Sequence, residues 1–382
     1  MSSPISISLP RSKSIVIRCL IIHYVKTGKL LPVFENDPND IKIVYNALKN
    51  IDLQKQNKIG EPCIIDVEDC GAAYRFLMPL LATTHGAWLL TGSPRLLERP
   101  IIPLVNFLKI HGAHIEKVPL GWNIQGREFQ IDNIEIDTTE TTQFVSAVMM
   151  VQTESRILNS QFSPELNSGL NSQNPYIRMT ERILQISDSR DAMHCASAFS
   201  DWSAAIFWLA NALLTPNAHY LLKDLHFDGL QGDVQIVPWF EKFGLCFNEN
   251  EDGIEVKYVQ NMDIGAQNID VAQTPDLALI LAVLAVCYPF QLTMSGLKTL
   301  NLKESNRLNI LENELSKFTK VEKKSENEII IYKRTEKLPK LFQFDSHNDH
   351  RFVMAWALFR NFGKVDIQNA ECVKKSYPLF DY

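Results

Sequence analysis

The segment SHNDHRFVMAWALF (346–359) changes abruptly from polar to apolar between Arg351 and Phe352. Its first six residues carry charges and hydrogen-bond donors, whereas the next eight are too apolar for a helix on the protein surface. The junction therefore predicts a buried helix that begins with a cluster of polar groups. The first N–H groups of a helix lack partners within it and lie at the positive end of its dipole, which makes the junction a candidate anion site.

Five other apolar segments begin in the same way, and the six recur roughly every 60–75 residues along the chain. The predicted buried helices begin near residues 13, 71, 141, 201, 274 and 348. Amphipathic helices lie between them, and three of these run into strand-like stretches, at 103–118, 236–250 and 309–324. Such a period is typical of stacked strand–helix units that cannot fold alone. It predicts two domains of three units, divided near residues 191–200.

Basic side chains concentrate at the predicted helix starts, among them Lys13, Arg75, Arg99, Arg307 and Arg351. If the units of a domain pack around a pseudo-threefold axis, their buried helices lie parallel and their starts point the same way. Two such domains facing each other would form a cleft lined with N–H groups and cations. A cleft of this kind suits a small molecule with several negative charges.

Composition restricts the class of protein further. The net charge of −6 argues against a nucleic-acid-binding protein. The seven cysteines are scattered without the spacing of a zinc site or a disulfide framework, which favours a reducing cytoplasm. No apolar run is long enough to span a membrane, and the N-terminus lacks a signal-peptide pattern. We therefore expect a globular protein with neither membrane nor nucleic-acid partners.

Each junction also has a purely structural interpretation. Ser12, Thr141, Thr142 and Asp201 are good helix N-cap residues. Gly71 fits either an ordinary turn or a point of close approach to a ligand. A structural ion pair could account for any one of the arginines in apolar surroundings, whereas three together favour a shared ligand. For each residue taken singly, the sequence leaves these alternatives open.

Ten short motifs resemble those of the 5-enolpyruvylshikimate-3-phosphate (EPSP) synthase family, also called 3-phosphoshikimate 1-carboxyvinyltransferase. They occur in the family's order and span nearly the whole chain: LPRSKSIVIR (9–18), GAAYR (71–75), ERPI (98–101), TTQF (141–144), NPY (174–176), LQGD (230–233), TPD (274–276), LKESNR (302–307), NDHR (348–351) and CVKKSYP (372–378). NDHR and the K-E-x-x-R block within LKESNR are the most specific of them.

The resemblance implies an α/β fold, a two-domain inside-out α/β barrel in which each domain has three βαβαββ repeats around a pseudo-threefold axis. On this basis residues 1–12 and 200–382 form domain one, residues 13–199 form domain two, and the active site lies in the cleft between them. This expectation replaces the simple division into halves, because the N-terminal strand joins the C-terminal part of the chain.

The resemblance also implies a reaction. The family transfers the enolpyruvyl group of phosphoenolpyruvate (PEP) to the 5-hydroxyl of shikimate 3-phosphate and releases phosphate, in the shikimate pathway to chorismate and the aromatic amino acids. Such an addition and elimination needs a base for the hydroxyl proton, an acid for the PEP methylene carbon and cations for the phosphates and carboxylates. We expect a cytoplasmic monomer whose partners are these two substrates, with no cofactor and no metal.

Site residues follow from the matched motifs. By resemblance, catalysis depends on Asp276 as the base and Glu304 as the acid, together with Lys13. The residues expected around PEP are Lys13, Gly71, Arg99, Gln143, Arg307, Asp349, Arg351 and Lys375. The residues expected to bind shikimate 3-phosphate are Ser14, Arg18, Thr141, Thr142, Gln143, Tyr176, Asp276 and Lys303. Within the second set, Ser14 and Arg18 would bind the shikimate carboxylate.

Several positions depart from the residues usual in the family. They are Arg11 for glycine, Ile17 for asparagine, Ala72 for threonine, Tyr74 for methionine, Gln173 for a phosphate-binding serine, and Asn306 for aspartate. None of them removes a proposed acid, base or PEP cation, so we expect activity. The detailed phosphate contacts and the response to glyphosate stay open.

Two other functions are compatible with the pattern. The enolpyruvyl transferase that acts on UDP-N-acetylglucosamine shares the fold, but it would have a Lys-Asn pair near the N-terminus, whereas Lys13 here precedes Ser14. It would also have a cysteine in a mobile loop, which this chain does not place there. A non-catalytic relative could keep the anion-binding cleft without turnover, but the complete set of proposed acid, base and lysines favours an enzyme.

Overall fold

The computed structural model describes residues 3–57, 62–129, 131, 134–152, 174–186, 199–259 and 264–381. The chain divides into two compact units. The first unit comprises Met1–Ser12 and Phe199–Tyr382, and the second unit comprises Lys13–Ala198.

The helices follow the apolar and amphipathic segments of the sequence. In chain order they are α1 (Lys13–Thr27), α2 (Asn39–Asn57), α3 (Gly71–Thr83), α4 (Pro94–Leu97), α5 (Ile102–Ile110), α6 (Gln143–Val151), α7 (Pro175–Ile186), α8 (Trp202–Leu214), α9 (Val237–Lys242), α10 (Ala278–Cys287), α11 (Arg307–Leu315) and α12 (His350–Ala357). Short 3-10 helices precede α9 and α10, at Gly232–Ile236 and Pro275–Leu277.

The strands form four sheets in the described part of the chain. In chain order they are β1 (Ile5–Ser8), β2 (Cys63–Asp66), β3 (Gly86–Thr91), β4 (His114–Val118), β5 (Gly121–Gly126), β6 (His219–Lys223), β7 (Leu245–Asn250), β8 (Gly253–Tyr258), β9 (Gln267–Asp270), β10 (Leu292–Ser295), β11 (Val321–Ser325), β12 (Glu328–Ile331), β13 (Leu341–Asp345) and β14 (Lys364–Gln368).

One strand pattern recurs in the three four-stranded sheets, which have the orders β2-β3-β5-β4, β1-β6-β8-β7 and β9-β10-β12-β11. In each, the first two strands are parallel and the last two form an antiparallel hairpin. In the second unit, β2, α3, β3, α5 and the β4–β5 hairpin follow one another as a βαβαββ set. Because parallel strands need a crossover, a helix lies between the first two strands of each set.

The last set of the first unit is shorter. Its strands β13 and β14 are parallel, with α12 between them. After β14 the chain forms a 3-10 helix, Ala370–Lys375, instead of a second helix and a hairpin. Lys375, a predicted site residue, therefore ends this short helix.

Helix α10 lies at the centre of the first unit. All ten of its residues are buried, and it packs against α8, α11 and α12. The segment ALILAVLAVC has no polar face, so a position inside the core is the only one in which it avoids water. Its N-terminal neighbour Asp276 is thereby held at the edge of the core.

The core of the second unit forms around α3 and α6, which pack against each other, while α1 contacts α2, α6 and α7. Tyr74 of α3 is fully buried, and its hydroxyl accepts a hydrogen bond from Trp122 Nε1 of β5 at 2.6 Å. This bond satisfies an indole N–H that is itself almost completely buried. The departure at position 74 thus has a structural role in the contact between helix and sheet.

The predicted helix starts are confirmed at all six apolar segments, each within four residues. Two predicted boundaries are wrong. The amphipathic spacing of residues 36–49 predicts a helix over that range, but the helix begins at Asn39 and continues to Asn57, because the apolar spacing persists through Ile51. The sequence also predicts one helix over residues 234–243, where the structure has a 3-10 helix followed by α9. Its Pro238 lies in the first turn of α9, where a missing N–H does no harm.

We predict that Tyr74→Phe lowers the free energy of unfolding by about 1–2 kcal/mol, because the buried N–H of Trp122 loses its acceptor. Urea unfolding followed by tryptophan fluorescence measures the difference. Tyr45→Phe is the matched control, since the Tyr45 hydroxyl has no hydrogen-bond partner among the described residues. Equal losses in the two variants would contradict the role given to the Tyr74–Trp122 bond.

Candidate active site

A buried arginine, Arg307, lies at the centre of an ionic cluster in the first unit. Its side chain is 1% exposed. Its guanidinium donates to Asp276 at 2.7 Å, Asp349 at 2.8 Å and Glu304 at 3.2 Å. Burial would lower the pKa of Arg307, but the negative charges of Asp349, Asp276 and Glu304 outweigh it and raise the pKa. The planar fork of N–H groups lets one guanidinium hold carboxylates from three segments.

Asp276 is the carboxylate on which the cations converge. Besides Arg307, it contacts Lys303 Nζ at 3.6 Å and Arg351 Nη2 at 3.4 Å, and its side chain is 21% exposed. Burial would raise the pKa of Asp276, but Lys303, Arg351 and Arg307 outweigh it and hold that pKa well below its ordinary value. Asp276 is therefore ionised at neutral pH and partly accessible to solvent.

Glu304 bridges two cations with its two carboxylate oxygens. Oε2 accepts from Arg307, and Oε1 lies 3.1 Å from Lys375 Nζ. The side chains of Glu304 and Lys375 are 14% and 11% exposed, so both lie at the edge of the cluster. This contact ties the 3-10 helix after β14 to the loop before α11.

The turn before α12 positions Asp349. The two preceding residues have left-handed backbone conformations, with φ of 52° and 56°. Asp349 then caps α12 by accepting from the N–H of Arg351. It also accepts from Arg307 and from the hydroxyl of Ser305. Because it is completely buried and both of its oxygens accept hydrogen bonds, Asp349 is placed to orient Arg307 and the start of α12.

Arg351, the second residue of α12, extends the cluster towards α8. Its guanidinium contacts Asp276 and donates to the backbone carbonyl of Ser203 at 3.4 Å. The hydroxyl of Ser203 donates to Asp233, which is 6% exposed. Burial would lower the pKa of Arg351, but Asp276, Asp201 and Asp233 outweigh it and raise the pKa. Asp233 therefore belongs to the same electrostatic network as the predicted site residues.

Burial has the opposite effect on Asp233. It raises the pKa of Asp233 to about 6, against the lowering effects of the Ser203 hydroxyl and of Arg351. The other carboxylate oxygen, Oδ1, is buried and has no hydrogen-bond partner among the described residues. Asp233 is thus a carboxyl group of this network whose pKa is raised towards neutral pH.

In the second unit, Lys13 forms an ion pair at the start of α1. Its Nζ lies 3.0 Å from Asp40 Oδ2 in the first turn of α2. The Asp40 side chain is 4% exposed, whereas that of Lys13 is 17% exposed. The carboxylate therefore anchors the lysine from the protein side while the ammonium group keeps some access to solvent.

Gly71, the first residue of α3, lies directly against the guanidinium of Arg99. A Cβ atom at this position would lie 2.5 Å from Arg99 Nη1 and 2.7 Å from Cζ. The absence of a side chain at Gly71 thus lets the Arg99 guanidinium approach the N-terminus of α3, which is the positive end of the helix dipole. An anion beside both would be stabilised by the charge and by the helix dipole.

The start of α6 presents amide and hydroxyl groups. Gln143 Oε1 accepts from Arg75 Nη1 at 2.8 Å, and the Thr141 hydroxyl accepts from the N–H of Gln143 at 3.2 Å. Thr142 is the N-cap residue, but its side chain makes no capping hydrogen bond. The two threonines and Gln143 are all partly exposed. The predicted capping role therefore applies to the backbone position of Thr142 and not to its hydroxyl.

Arg18 lies deeper in the second unit, with 2% exposure. Its guanidinium donates to the hydroxyl of Thr180 and to the backbone carbonyl of Ser14, both at 2.8 Å. Burial lowers the pKa of Arg18 to about 10, which leaves the side chain charged at neutral pH. Tyr176, in the first turn of α7, is partly exposed.

The predicted site residues thus fall into two groups, one in each unit. Direct contacts in the first unit join Asp276, Lys303, Glu304, Arg307, Asp349, Arg351 and Lys375. The second unit contains Lys13, Ser14, Arg18, Gly71, Arg99, Thr141, Thr142, Gln143 and Tyr176. In this second group, contacts join Ser14 with Arg18, Gly71 with Arg99, and Thr141 with Gln143.

The departures from the family pattern lie in varied surroundings. Ile17 is buried on α1, and Ala72 is partly buried in the first turn of α3. Arg11 forms an isolated backbone bridge with Ser200. Asn306 occupies the N-cap position of α11 without a side-chain cap bond. Gln173 lies outside the described residues.

Sequence reasoning missed two carboxylates. The polar residues around Asp40 predict only the start of a helix, and the sequence gives no partner for its carboxylate. Asp233 belongs to the LQGD motif, to which no role was given. Both lie far along the chain from the residues they contact, so nothing in the local pattern marked them.

The described residues contain no cluster of three or more side chains suited to hold a metal ion. None of the described helices is long and apolar enough to cross a membrane. The expectation that no metal or cofactor takes part stays a prediction.

Comparison with known proteins gives consistent matches along the chain. The family model described as EPSP synthase (3-phosphoshikimate 1-carboxyvinyltransferase) matches residues 40–381. A 3-phosphoshikimate 1-carboxyvinyltransferase of Bacteroides fragilis is 30% identical over 98% of this chain and 92% of its own length. One of Syntrophobacter fumaroxidans is 27% identical over 98% and 95%. An EPSP synthase structure from Acinetobacter baumannii has a TM-score of 0.65 at 18% identity, over 98% and 93%. This structural likeness confirms the predicted fold class.

We predict that the Asp233 carboxyl makes the free energy of unfolding fall as the pH rises from about 4 to about 6. The unfolded carboxyl loses its proton near pH 3.8, whereas in the folded chain its pKa is about 6. Between these values the folded state binds more protons, so a rise in pH favours unfolding.

The Asp233→Asn variant tests this prediction, because the amide does not titrate. The difference in free energy of unfolding, Asp233→Asn minus native, should increase between pH 4 and pH 7 by an amount on the order of 2–3 kcal/mol. Urea unfolding of both proteins at several pH values measures the difference. Asp252→Asn, a change at an exposed residue in the turn between β7 and β8 of the same unit, controls for the loss of one charge. A difference independent of pH would contradict the prediction.

Proposed function

Because the chain belongs to the EPSP synthase family, we propose that it transfers the enolpyruvyl group of PEP to the 5-hydroxyl of shikimate 3-phosphate and releases phosphate. The observation that carries the proposal is the cluster around Arg307, in which cations and candidate acid and base groups lie in direct contact. A reaction between two multiply charged anions needs such a combination.

The reaction balances as an addition followed by an elimination. A base takes the proton of the 5-hydroxyl, whose oxygen bonds to C2 of PEP while an acid protonates the methylene carbon. The phosphate then leaves C2 and the new methyl group loses a proton, which restores the double bond. The protein must therefore supply a base, an acid that also takes a proton back, and cations that stabilise the phosphate as it leaves.

We assign the binding of PEP in the first unit to Arg307, Arg351 and Lys375. Their contacts with Asp276 and Glu304 hold them ready for a phosphate or carboxylate group. Lys303, at the exposed edge of the cluster, is assigned to the 3-phosphate of the second substrate. By resemblance, Asp349 would lie near the PEP phosphate as a proton-relay and orienting group. Its complete burial and its hydrogen bonds with Arg307 favour the orienting role.

Asp276 is the proposed base, although the surrounding cations lower its pKa and weaken it as a base. The phosphate and carboxylate groups of the substrates compete for Arg307, Arg351 and Lys303. We expect substrate binding to draw positive charge away from Asp276 and so to raise its pKa towards a value suited to accepting the hydroxyl proton.

Glu304 is the proposed acid for the PEP methylene carbon. Its two oxygens contact Arg307 and Lys375, which are themselves assigned to PEP, so the carboxyl group lies beside the expected position of that substrate. Cations on both sides stabilise the carboxylate that remains after proton transfer.

In the second unit, we assign Lys13, Gly71, Arg99 and Gln143 to PEP. The approach of Arg99 to the start of α3 supports an anion at this point. The side chains assigned to shikimate 3-phosphate are Ser14, Arg18, Thr141, Thr142, Gln143 and Tyr176. Cytoplasmic location and a monomeric state stay predictions.

The assay of phosphate release tests the function. Purified protein should release inorganic phosphate from PEP only when shikimate 3-phosphate is present. UDP-N-acetylglucosamine in its place serves as the control for the related transferase. Release driven by the nucleotide sugar, or no release with either acceptor, would overturn the proposal.

We predict that Glu304→Gln lowers kcat by about 10²–10⁴-fold, because the amide cannot supply a proton to the methylene carbon. Binding of shikimate 3-phosphate, measured by calorimetry, should change little. Glu251→Gln is the matched control, since Glu251 is exposed in the turn between β7 and β8 of the same unit. A kcat within a few-fold of the native value would reject the role of Glu304 as the acid.

A further inference from the structure

Arg18 lies where four helices of the second unit come together. It belongs to α1, its guanidinium carbon lies 4.9 Å from the ring centre of Phe76 in α3, and its N–H groups point to Thr180 of α7 and Ser146 of α6. Nε donates to the Thr180 hydroxyl at 2.8 Å, and Nη2 lies 3.5 Å from the Ser146 hydroxyl. The two hydroxyls are 2.9 Å apart and completely buried.

All of these partners are electrically neutral. No carboxylate among the described residues forms an ion pair with Arg18, and its remaining hydrogen bond goes to the carbonyl of Ser14. Arg307, equally buried, contacts three carboxylates. Within the described part of the chain, two arginines of similar burial thus differ in whether carboxylates cancel their charge.

The neutral surroundings of Arg18 have an energetic consequence. A buried charge without a counter-ion is unfavourable, and hydroxyls and carbonyls compensate only part of the cost of removing it from water. The charge that the described residues leave without a counter-ion is therefore available to an anion. A carboxylate in place of either hydroxyl would occupy the guanidinium and repel an anionic ligand.

We propose that Thr180 and Ser146 are positioning residues that hold Arg18 through neutral hydroxyls, and that they thereby set the affinity for the carboxylate of shikimate 3-phosphate. This inference rests on the proposed function. It adds two residues that touch no substrate but determine how strongly Arg18 attracts one.

The geometry of Thr180 suits this role. Its hydroxyl also lies 3.0 Å from the carbonyl of Tyr176, one helical turn earlier. A β-branched side chain has few rotamers in a helix, and this contact selects one of them. The oxygen is then fixed where it accepts from Arg18 Nε, with Ser146 as a second support. Removal of the hydroxyl leaves a charged N–H group without its acceptor.

The test compares Thr180→Val, which keeps the shape and removes the hydroxyl, with Thr180→Ser, which keeps the hydroxyl. We expect Thr180→Val to raise the KM for shikimate 3-phosphate about 10–100-fold, within the range for a lost hydrogen bond to a charged group. The KM for PEP and kcat should stay within about twofold. Thr180→Ser should restore the KM to within about threefold of the native value.

Two further variants sharpen the comparison. Thr83→Val on α3 removes a hydroxyl that bonds a carbonyl four residues earlier, the same type of bond that Thr180 makes to Tyr176. It should leave the KM for shikimate 3-phosphate unchanged. Ser146→Ala should raise this KM about 2–5-fold, because its contact with Arg18 is longer.

A substrate analogue with a carboxamide in place of the carboxylate separates positioning from general loosening of the fold. The Thr180→Val variant should bind it, in calorimetry, within about twofold of the native protein. Equal penalties for the acid and the amide would overturn the inference.

The outcomes separate this inference from the proposed function. If the native protein releases phosphate with shikimate 3-phosphate but Thr180→Val has an unchanged KM, the inference is wrong and the function stands. If the native protein shows no such release, both fail. If Thr180→Val lacks a cooperative thermal transition, Ser146→Ala decides, and an unchanged KM in that variant overturns the inference.

Discussion

The contact of one buried guanidinium with three carboxylates is the constraint on which the chemistry of the first unit depends. Arg307 would be very unfavourable in its position without a counter-charge. Its partners come from the turn before α10, the loop before α11 and the cap of α12. Because each carboxylate also contacts another group, the proposed acid and base hold one another in place. Preorganised charge of this kind stabilises a transition state without rearrangement during the reaction.

Two buried arginines, Arg307 in the first unit and Arg18 in the second, are held by different kinds of partner. In the first unit, carboxylates contact Arg307 and Arg351, and in the proposed function these arginines bind a substrate by exchange of one anion for another. In the second unit, hydroxyls and a carbonyl hold Arg18, and no carboxylate among the described residues forms an ion pair with it. When a substrate anion displaces a carboxylate from Arg307 or Arg351, that carboxylate becomes free to act as an acid or a base. Arg18, which is held by neutral groups, is suited instead to tight binding of a substrate group that does not react. This contrast matches the proposed roles, in which Arg307 and Arg351 bind PEP and Arg18 binds the carboxylate of shikimate 3-phosphate.

Local patterns were sufficient to predict where the six apolar helices begin and that strand–helix units repeat, whereas the βαβαββ arrangement was implied by the family resemblance. An apolar run such as 277–286 can lie only in a core, and the polar residues before it mark where the helix begins. Side-chain partners were not predictable in this way. Asp40 lies 27 residues from Lys13 along the chain, and Ser146 and Thr180 are 128 and 162 residues from Arg18. Nothing in a sequence window relates such positions. The approach of Arg99 to Gly71 was likewise visible only in the tertiary structure.

The sequence by itself determined where each apolar helix begins, which charged residues lie at those starts and, through its motifs, the family. These properties depend on neighbouring residues, whose spacing decides which side of a helix meets the core. Only the tertiary structure decided which charges are cancelled and which are not. It gave Arg307 three carboxylates and Arg18 none among the described residues, because distance and burial between remote segments set the strength of an electrostatic contact.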